Sequence, residues 1–220
     1  MYKVEVRDLG RVGYDQALEL QQRLVAERKQ DLIPDQFLLL EHPHTITLGR
    51  NGRLENLLAS DQALRAAGIA YYPTDRGGDI TYHGPGQVVG YPILDLTHWK
   101  RDVRAYAHAI EQVMIDALAC FRIAAGRIPG CTGVWVDGRK IGAIGVHISR
   151  WVTSHGFALN VNPDLSYFGY IVPCGLTKPV TSMAQLGVDA SIADVGAKLA
   201  QAFGRQFDRE ILEYALEKAS

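Results

Sequence analysis

Apolar positions along this chain recur at two spacings, and the switches between them mark the elements. Residues 2–8 alternate charged and apolar side chains, the period of a strand with one buried face. Residues 13–30 change to helical spacing, with Ala17, Leu20, Leu24 and Val25 on one stripe. The runs at 37–40 and 45–49 are short and apolar, which predicts buried strands. Residues 60–67 suit a short helix with Ser60 as N-cap and Gly68 just past its end. A strand at 69–72 enters a glycine-rich loop, and a strand at 88–94 leaves it. The spacing predicts a long helix over 103–121, with Val103, Ile110, Val113, Met114, Ala117, Leu118 and Phe121 on its apolar side.

Asp137-Gly138 lies between two β-rich runs, 134–136 and 140–144, which predicts a hairpin. Residues 155–161 read as a third adjacent strand. Ser191 followed by Asp194 resembles a capping box and opens a helix to about Phe203. Residues 208–218 read as a terminal helix. Strands do not alternate strictly with helices, so the expected fold is α/β with a mixed sheet flanked by helices rather than a doubly wound one. With 220 residues the chain fits one domain, 1–220; a smaller unit after about 178 is conceivable, but no linker marks it.

Composition narrows the function classes. Apolar residues are 47%, charged residues 21% and net charge −1, which gives no bulk reason to expect nucleic acid or an anionic membrane as partner. The first residues do not read as a signal peptide, and no apolar run approaches membrane-spanning length. Three cysteines, Cys120, Cys131 and Cys174, cannot form a fully paired disulfide framework, so a reducing cytoplasm is the expected compartment.

Three stretches carry chemistry. Cys174 stands between Pro173 and Gly175, a setting that presents a thiol rather than packing one. Cys120, inside an apolar helix, reads as a core filler, and Cys131 as a turn residue after Pro129-Gly130. Residues 76–87 hold four glycines and Pro85, suited to close backbone approach to a ligand. They match neither a phosphate-binding P-loop nor a dinucleotide fingerprint. Lys140 leads into Ile141-Gly142-Ala143-Ile144-Gly145, where small residues let a ligand reach the strand. Thiol, amine and glycine-rich loop together suggest acyl-group chemistry. A free thiol is only a few per cent thiolate at neutral pH, so it needs an activator. Lys140 is one candidate, as base or as charge partner, and His155 is another. His83 reads as a loop or core hydrogen-bonder. His42 and His44 have metal-ligand spacing but no evident partner, so no metal is expected.

Taken together, Arg76-Gly-Gly-Asp-Ile-Thr-Tyr-His-Gly-Pro-Gly-Gln87, Gly138-Arg-Lys-Ile-Gly-Ala-Ile-Gly145, His155-Gly-Phe-Ala-Leu-Asn160 and Pro173-Cys-Gly175 resemble the four blocks of the lipoyl (octanoyl) transferase family, in family order. Asp79 falls where that pattern is expected to vary. The resemblance implies the mixed sheet shared with biotin and lipoate protein ligases. It implies transfer of an octanoyl (or lipoyl) group in lipoate biosynthesis, without a cofactor. The donor would be octanoyl-acyl carrier protein; the acceptors would be lipoyl domains of 2-oxoacid dehydrogenases and the glycine cleavage H protein. Carried over, Cys174 would be the acyl-thioester nucleophile and Lys140 its activating partner. Arg76, Gly77, Gly78, Asp79, Ile80, Thr81, Tyr82 and His83 would line the acyl site with Ala143, Ile144, Gly145, Gly156, Phe157 and Ala158. An ATP-dependent lipoate or biotin ligase, a cysteine thioester hydrolase with His155 as base, and a non-enzymatic acyl-binding module are the competing readings.

Overall fold

The computed structural model describes residues 2–172 and 178–216; Cys174, the expected nucleophile, lies outside the described residues. An eight-stranded mixed sheet runs β11-β1-β2-β6-β10-β9-β8-β7. Its strands are β1 (Tyr2–Arg11), β2 (Asp35–Glu41), β6 (Gln87–Ile93), β7 (Gly126–Ile128), β8 (Cys131–Val136), β9 (Arg139–Ser149), β10 (Val152–Asn160) and β11 (Arg209–Leu216). A small sheet, β4-β3-β5, is formed by β3 (Thr45–Leu48), β4 (Ala70–Pro73) and β5 (Ile80–His83). Helix α1 (Tyr14–Lys29) covers one face of the large sheet; α3 (Val103–Ala119) and α4 (Ile192–Phe207) cover the other. The short α2 (Asp61–Ala66) packs on the small sheet and is N-capped by Ser60, whose Oγ accepts from the Ala63 amide.

The unbroken apolar run in β2 follows from this sandwich. Phe37 and Leu39 point into the α3–α4 core, Leu38 and Leu40 into the α1 core, so both faces are buried. Pro92 sits inside β6, where it cannot donate. Its carbonyl accepts from the Thr153 hydroxyl, and Thr153 Oγ1 in turn accepts from the Leu94 amide, so the ladder is bridged by a side chain.

Several expectations are corrected. Residues 209–216 are a strand, not a helix: Asp208 takes a left-handed conformation (φ 52) that ends α4, and the chain then pairs in parallel with β1. The open edge of β1 supplies a ladder that outweighs weak helical spacing. Arg209 fixes the turn by inserting beside buried Asp35, Nε to Oδ2 at 2.8 Å, while Arg28 Nε bonds Oδ1 of the same carboxylate at 2.8 Å. Helix α4 runs to Phe207 rather than Phe203, because Phe207 packs against Phe203, Tyr106 and Trp99. Past residue 178, β11 joins the main sheet and α4 side chains join its core. Val103, placed on the apolar side of α3, is exposed at the helix's first turn, and Cys120 is exposed at its C-terminal cap. Within the glycine-rich stretch, residues 80–83 form β5, paired antiparallel with β3. No helix among the described residues is long and apolar enough to cross a membrane.

Candidate acyl-transfer site

The register of β9 builds the site. β8 pairs with β9 only as far as Gly142, so from Ala143 onward one edge of β9 is open while β10 covers the other. The Arg76-Gly77-Gly78 loop comes to that open edge: the Gly77 amide donates to the Val146 carbonyl at 2.9 Å. A Cβ at Gly145 would lie 2.8 Å from the Gly77 carbonyl oxygen, so the approach requires glycine there. Arg76 is buried and anchors the loop, its Nη2 donating to the Thr47 carbonyl at 2.7 Å and its Nε to Thr47 Oγ1 at 3.1 Å.

Between the loop and the two strands lies a cavity of about 510 Å³, a size suited to a small-molecule tail. It is lined by Arg76, Gly77, Gly78, Asp79, Ile80, Thr81 and His83, by Lys140, Ala143, Ile144 and Gly145, and by Gly156, Phe157 and Ala158. Three glycine-rich blocks separated by many residues thus meet around one space. Tyr82 does not line it; its ring is buried in the small-sheet core, and its hydroxyl bonds His44 Nδ1 at 2.7 Å. Phe157 reaches the cavity wall, but its ring packs in the α3–α4 core beside Phe37.

Lys140 is tied through its backbone: its amide donates to the Pro179 carbonyl and its carbonyl accepts from the Thr181 amide, each at 2.9 Å. Its Nζ stands 4.8 Å over the Trp135 ring, and Lys178 Nζ lies 5.2 Å from the same ring. On the other side of the Pro173–Thr177 stretch, the Val172 amide donates to the Asn56 carbonyl at 2.8 Å. Cys131 begins β8 rather than occupying a turn; it lines the cavity with its sulfur 3.6 Å from Lys178 Nζ.

Sequence reasoning left Tyr14 and Tyr91 out of the wall and raised His155 as a possible base in the same cleft; all three line the cavity. Burial pushes the Tyr14 hydroxyl up to about 12, and it holds His83 well below the usual histidine range, with His42 and Arg76 nearby lowering it further. His155 is also lowered by burial, although Nε2 sits 2.7 Å from Asp75 Oδ1, a contact that favours the charged ring. Burial raises Asp75, but the bond to and charge of His155 outweigh it and hold the carboxyl below its usual value. The carboxylate therefore accepts and the ring nitrogen donates. His42 bonds the Val12 carbonyl and the Tyr91 hydroxyl, so both its nitrogens are used within the fold. Among the described residues no group of three or more metal-binding side chains occurs.

Comparison with known proteins bears on the family and the fold. Residues 13–204 match the model of the lipoyl protein ligase A/B catalytic domain. An octanoyltransferase of Solibacter usitatus is 68% identical, over 94% of each chain, and one of Gloeobacter violaceus is 49% identical, over 94% of this chain and 92% of its own. Among solved structures, a bipartite lipoate protein ligase of Thermoplasma acidophilum superposes with a TM-score of 0.77 at 15% identity, covering 99% of this chain and 89% of that one. Biotin protein ligase of Aquifex aeolicus gives 0.54 at 12% identity, covering 94% and 70%. The structural likenesses extend to the fold, a mixed sheet flanked by helices.

Proposed function

The chain belongs to the lipoyl protein ligase A/B catalytic family and is an octanoyltransferase of lipoate biosynthesis, and we propose that it works through an acyl thioester on Cys174. The whole chain, 1–220, acts as a single catalytic domain in a reducing cytoplasm. Octanoyl-acyl carrier protein is the donor. The acceptor is a lysine of a lipoyl domain, in 2-oxoacid dehydrogenases or the glycine cleavage H protein. The observation that carries this reading is the convergence of Lys140 with three distant glycine-rich blocks on one cavity, with Lys140's own backbone bonded to Pro179 and Thr181, shortly after Cys174 in the chain.

The Cys174 sulfur attacks the carrier's thioester carbonyl; the carrier thiol leaves with a proton, and the acyl group is held as a second thioester. The free-energy change is near zero, because one thioester replaces another. The acceptor amine then attacks the same carbonyl, an amide forms, and the Cys174 thiol is released. This step is downhill and drives the reaction without ATP. Lys140 takes the proton from Cys174 and later from the attacking amine. Backbone amides of the glycine-rich segments face the negative charge that develops on the carbonyl oxygen. The acyl tail lies along Ala143, Gly145, Gly156 and Ala158.

Intact mass spectrometry with octanoyl-acyl carrier protein tests the scheme. Without acceptor or ATP, the protein should gain one octanoyl group, mapped to Cys174 and absent from Cys120. Adding a lipoyl domain should move that group to the domain. No adduct on Cys174 in a sample that transfers would refute the covalent route, and strict dependence on ATP would favour the ligase chemistry.

A further inference from the structure

Behind the acyl cavity is a second one of about 470 Å³, between α1 and the β9–β10 hairpin. His155 lines both cavities. Its ring occupies that position because of its backbone. Residues directly opposite in an antiparallel pair point to the same face of the sheet. His155 pairs with Val146, and Val146 packs toward the α3–α4 core. His155 instead adopts φ 53 and lies edge-on to Tyr91 at 6.4 Å, in the α1 layer. A left-handed residue within a strand re-aims the side chain at some cost in strain, and such strain persists only where the surroundings hold it. Here two hydrogen bonds do so: the His155 amide donates to Gln21 Oε1 at 2.8 Å, and Nε2 donates to Asp75 Oδ1 at 2.7 Å.

The wall stands at a defined distance. From Ala143 to Val146, level with His155, β9 rises three residues, roughly 10 Å at about 3.4 Å each. An extended eight-carbon acyl chain, with C–C bonds of about 1.5 Å, spans about 9 Å from carbonyl to methyl. Past the imidazole, Leu18, Val25 and Ala26 of α1 offer apolar contact in a second cavity whose lining is otherwise mostly polar, including Gln21, Gln22 and Lys29.

We infer that His155 sets the upper limit of acyl-chain length, its imidazole being the partition that stops the tail at about eight carbons and separates it from the second cavity. The inference rests on the acyltransferase reading of the main cavity. Asp75 and Gln21 are positioning residues for this wall.

The test uses full-length protein, a lipoyl domain and octanoyl-, decanoyl-, dodecanoyl- and tetradecanoyl-carrier thioesters, reading kcat/KM for each. His155→Gly deletes the partition and suits the positive φ; His155→Asn tolerates that backbone too and shortens the side chain. Parent protein should prefer octanoyl over dodecanoyl by more than 10-fold. His155→Gly should raise the dodecanoyl-to-octanoyl ratio by roughly 10–200-fold, the span that small changes in pocket depth produce, with His155→Asn between. Circular dichroism and thermal melting establish folding. An unchanged ratio in folded variants, or a parent with no length limit, overturns the inference while leaving octanoyl transfer intact. Failure of both variants to fold also overturns it, since His155 would then be a residue of the fold. A parent that transfers no octanoyl group removes the acyltransferase reading itself, a different result from either.

Discussion

Replacing Lys140 by alanine should separate chemistry from folding, because its backbone and side chain have distinct partners. The bonds to Pro179 and Thr181 are made by the main chain and survive any side-chain change that keeps the strand. The cation stands 4.8 Å over Trp135 at a half-buried site, an interaction worth about 0.5–1 kcal/mol. In a chain of 220 residues such a loss lowers Tm by roughly 2–4 °C per kcal/mol, so Lys140→Ala should remain folded at 25 °C. If Lys140 moves the proton in both half-reactions, the rate should fall by about 10²–10⁴-fold. Lys140→Arg distinguishes the two roles open to a lysine. Guanidinium keeps the charge but does not give up its proton, so arginine restores activity only where the charge alone matters. The base role predicts that both variants are slow. The assay is single-turnover acyl-enzyme formation followed by mass spectrometry, beside thermal melts. A folded Lys140→Ala that acylates within threefold of parent would refute the assignment, and recovery in Lys140→Arg would reduce it to electrostatic pairing.

Other consequences are equally open to measurement. Gly145→Ala places a methyl 2.8 Å from the Gly77 carbonyl and must push back the loop, so kcat/KM should fall by about 10²-fold with little change in urea midpoint; parent-like kinetics would show that the loop yields freely. Asp35→Ala leaves Arg28 and Arg209 without the carboxylate they share at 2% exposure, and urea unfolding should report a loss of about 3–5 kcal/mol; a loss under 1 would mean the two guanidinia find other partners. Burial lowers His42 from 6.5 to about 4, so the unfolded chain binds its proton first as pH falls. Stability from this group is full above pH 6.5 and declines by about 3 kcal/mol on descending to pH 4, with His83 and His155 acting in the same direction. Urea midpoints that stay level from pH 7.5 to 4.5 would contradict that.

Local pattern alone was enough for much of this molecule. Periodicity marked β1, β2, the α1 and α3 helices and the β8–β9 hairpin, because each buries a face whose spacing is written in adjacent residues. Asp137 and Gly138 both take positive φ, as the Asp-Gly turn requires. The glycine-rich blocks and Lys140 were legible for the same reason: close backbone approach demands glycine locally, whatever lies opposite. Tertiary structure decided what depends on distant partners. Residues 209–216 became a strand because β1 offered an open edge and Asp35 a buried anion, neither visible in that segment's own sequence. Tyr82 turned into the small-sheet core rather than the cavity, where His44 accepts or donates its hydrogen bond. His155 joined the cavity wall only through a left-handed backbone held by Gln21 on α1 and by Asp75 at the start of the loop. A strand period assigns a side chain to a face as long as the backbone stays extended. Where a left-handed residue held by partners 80 and 134 residues away reverses that, only the folded chain carries the information.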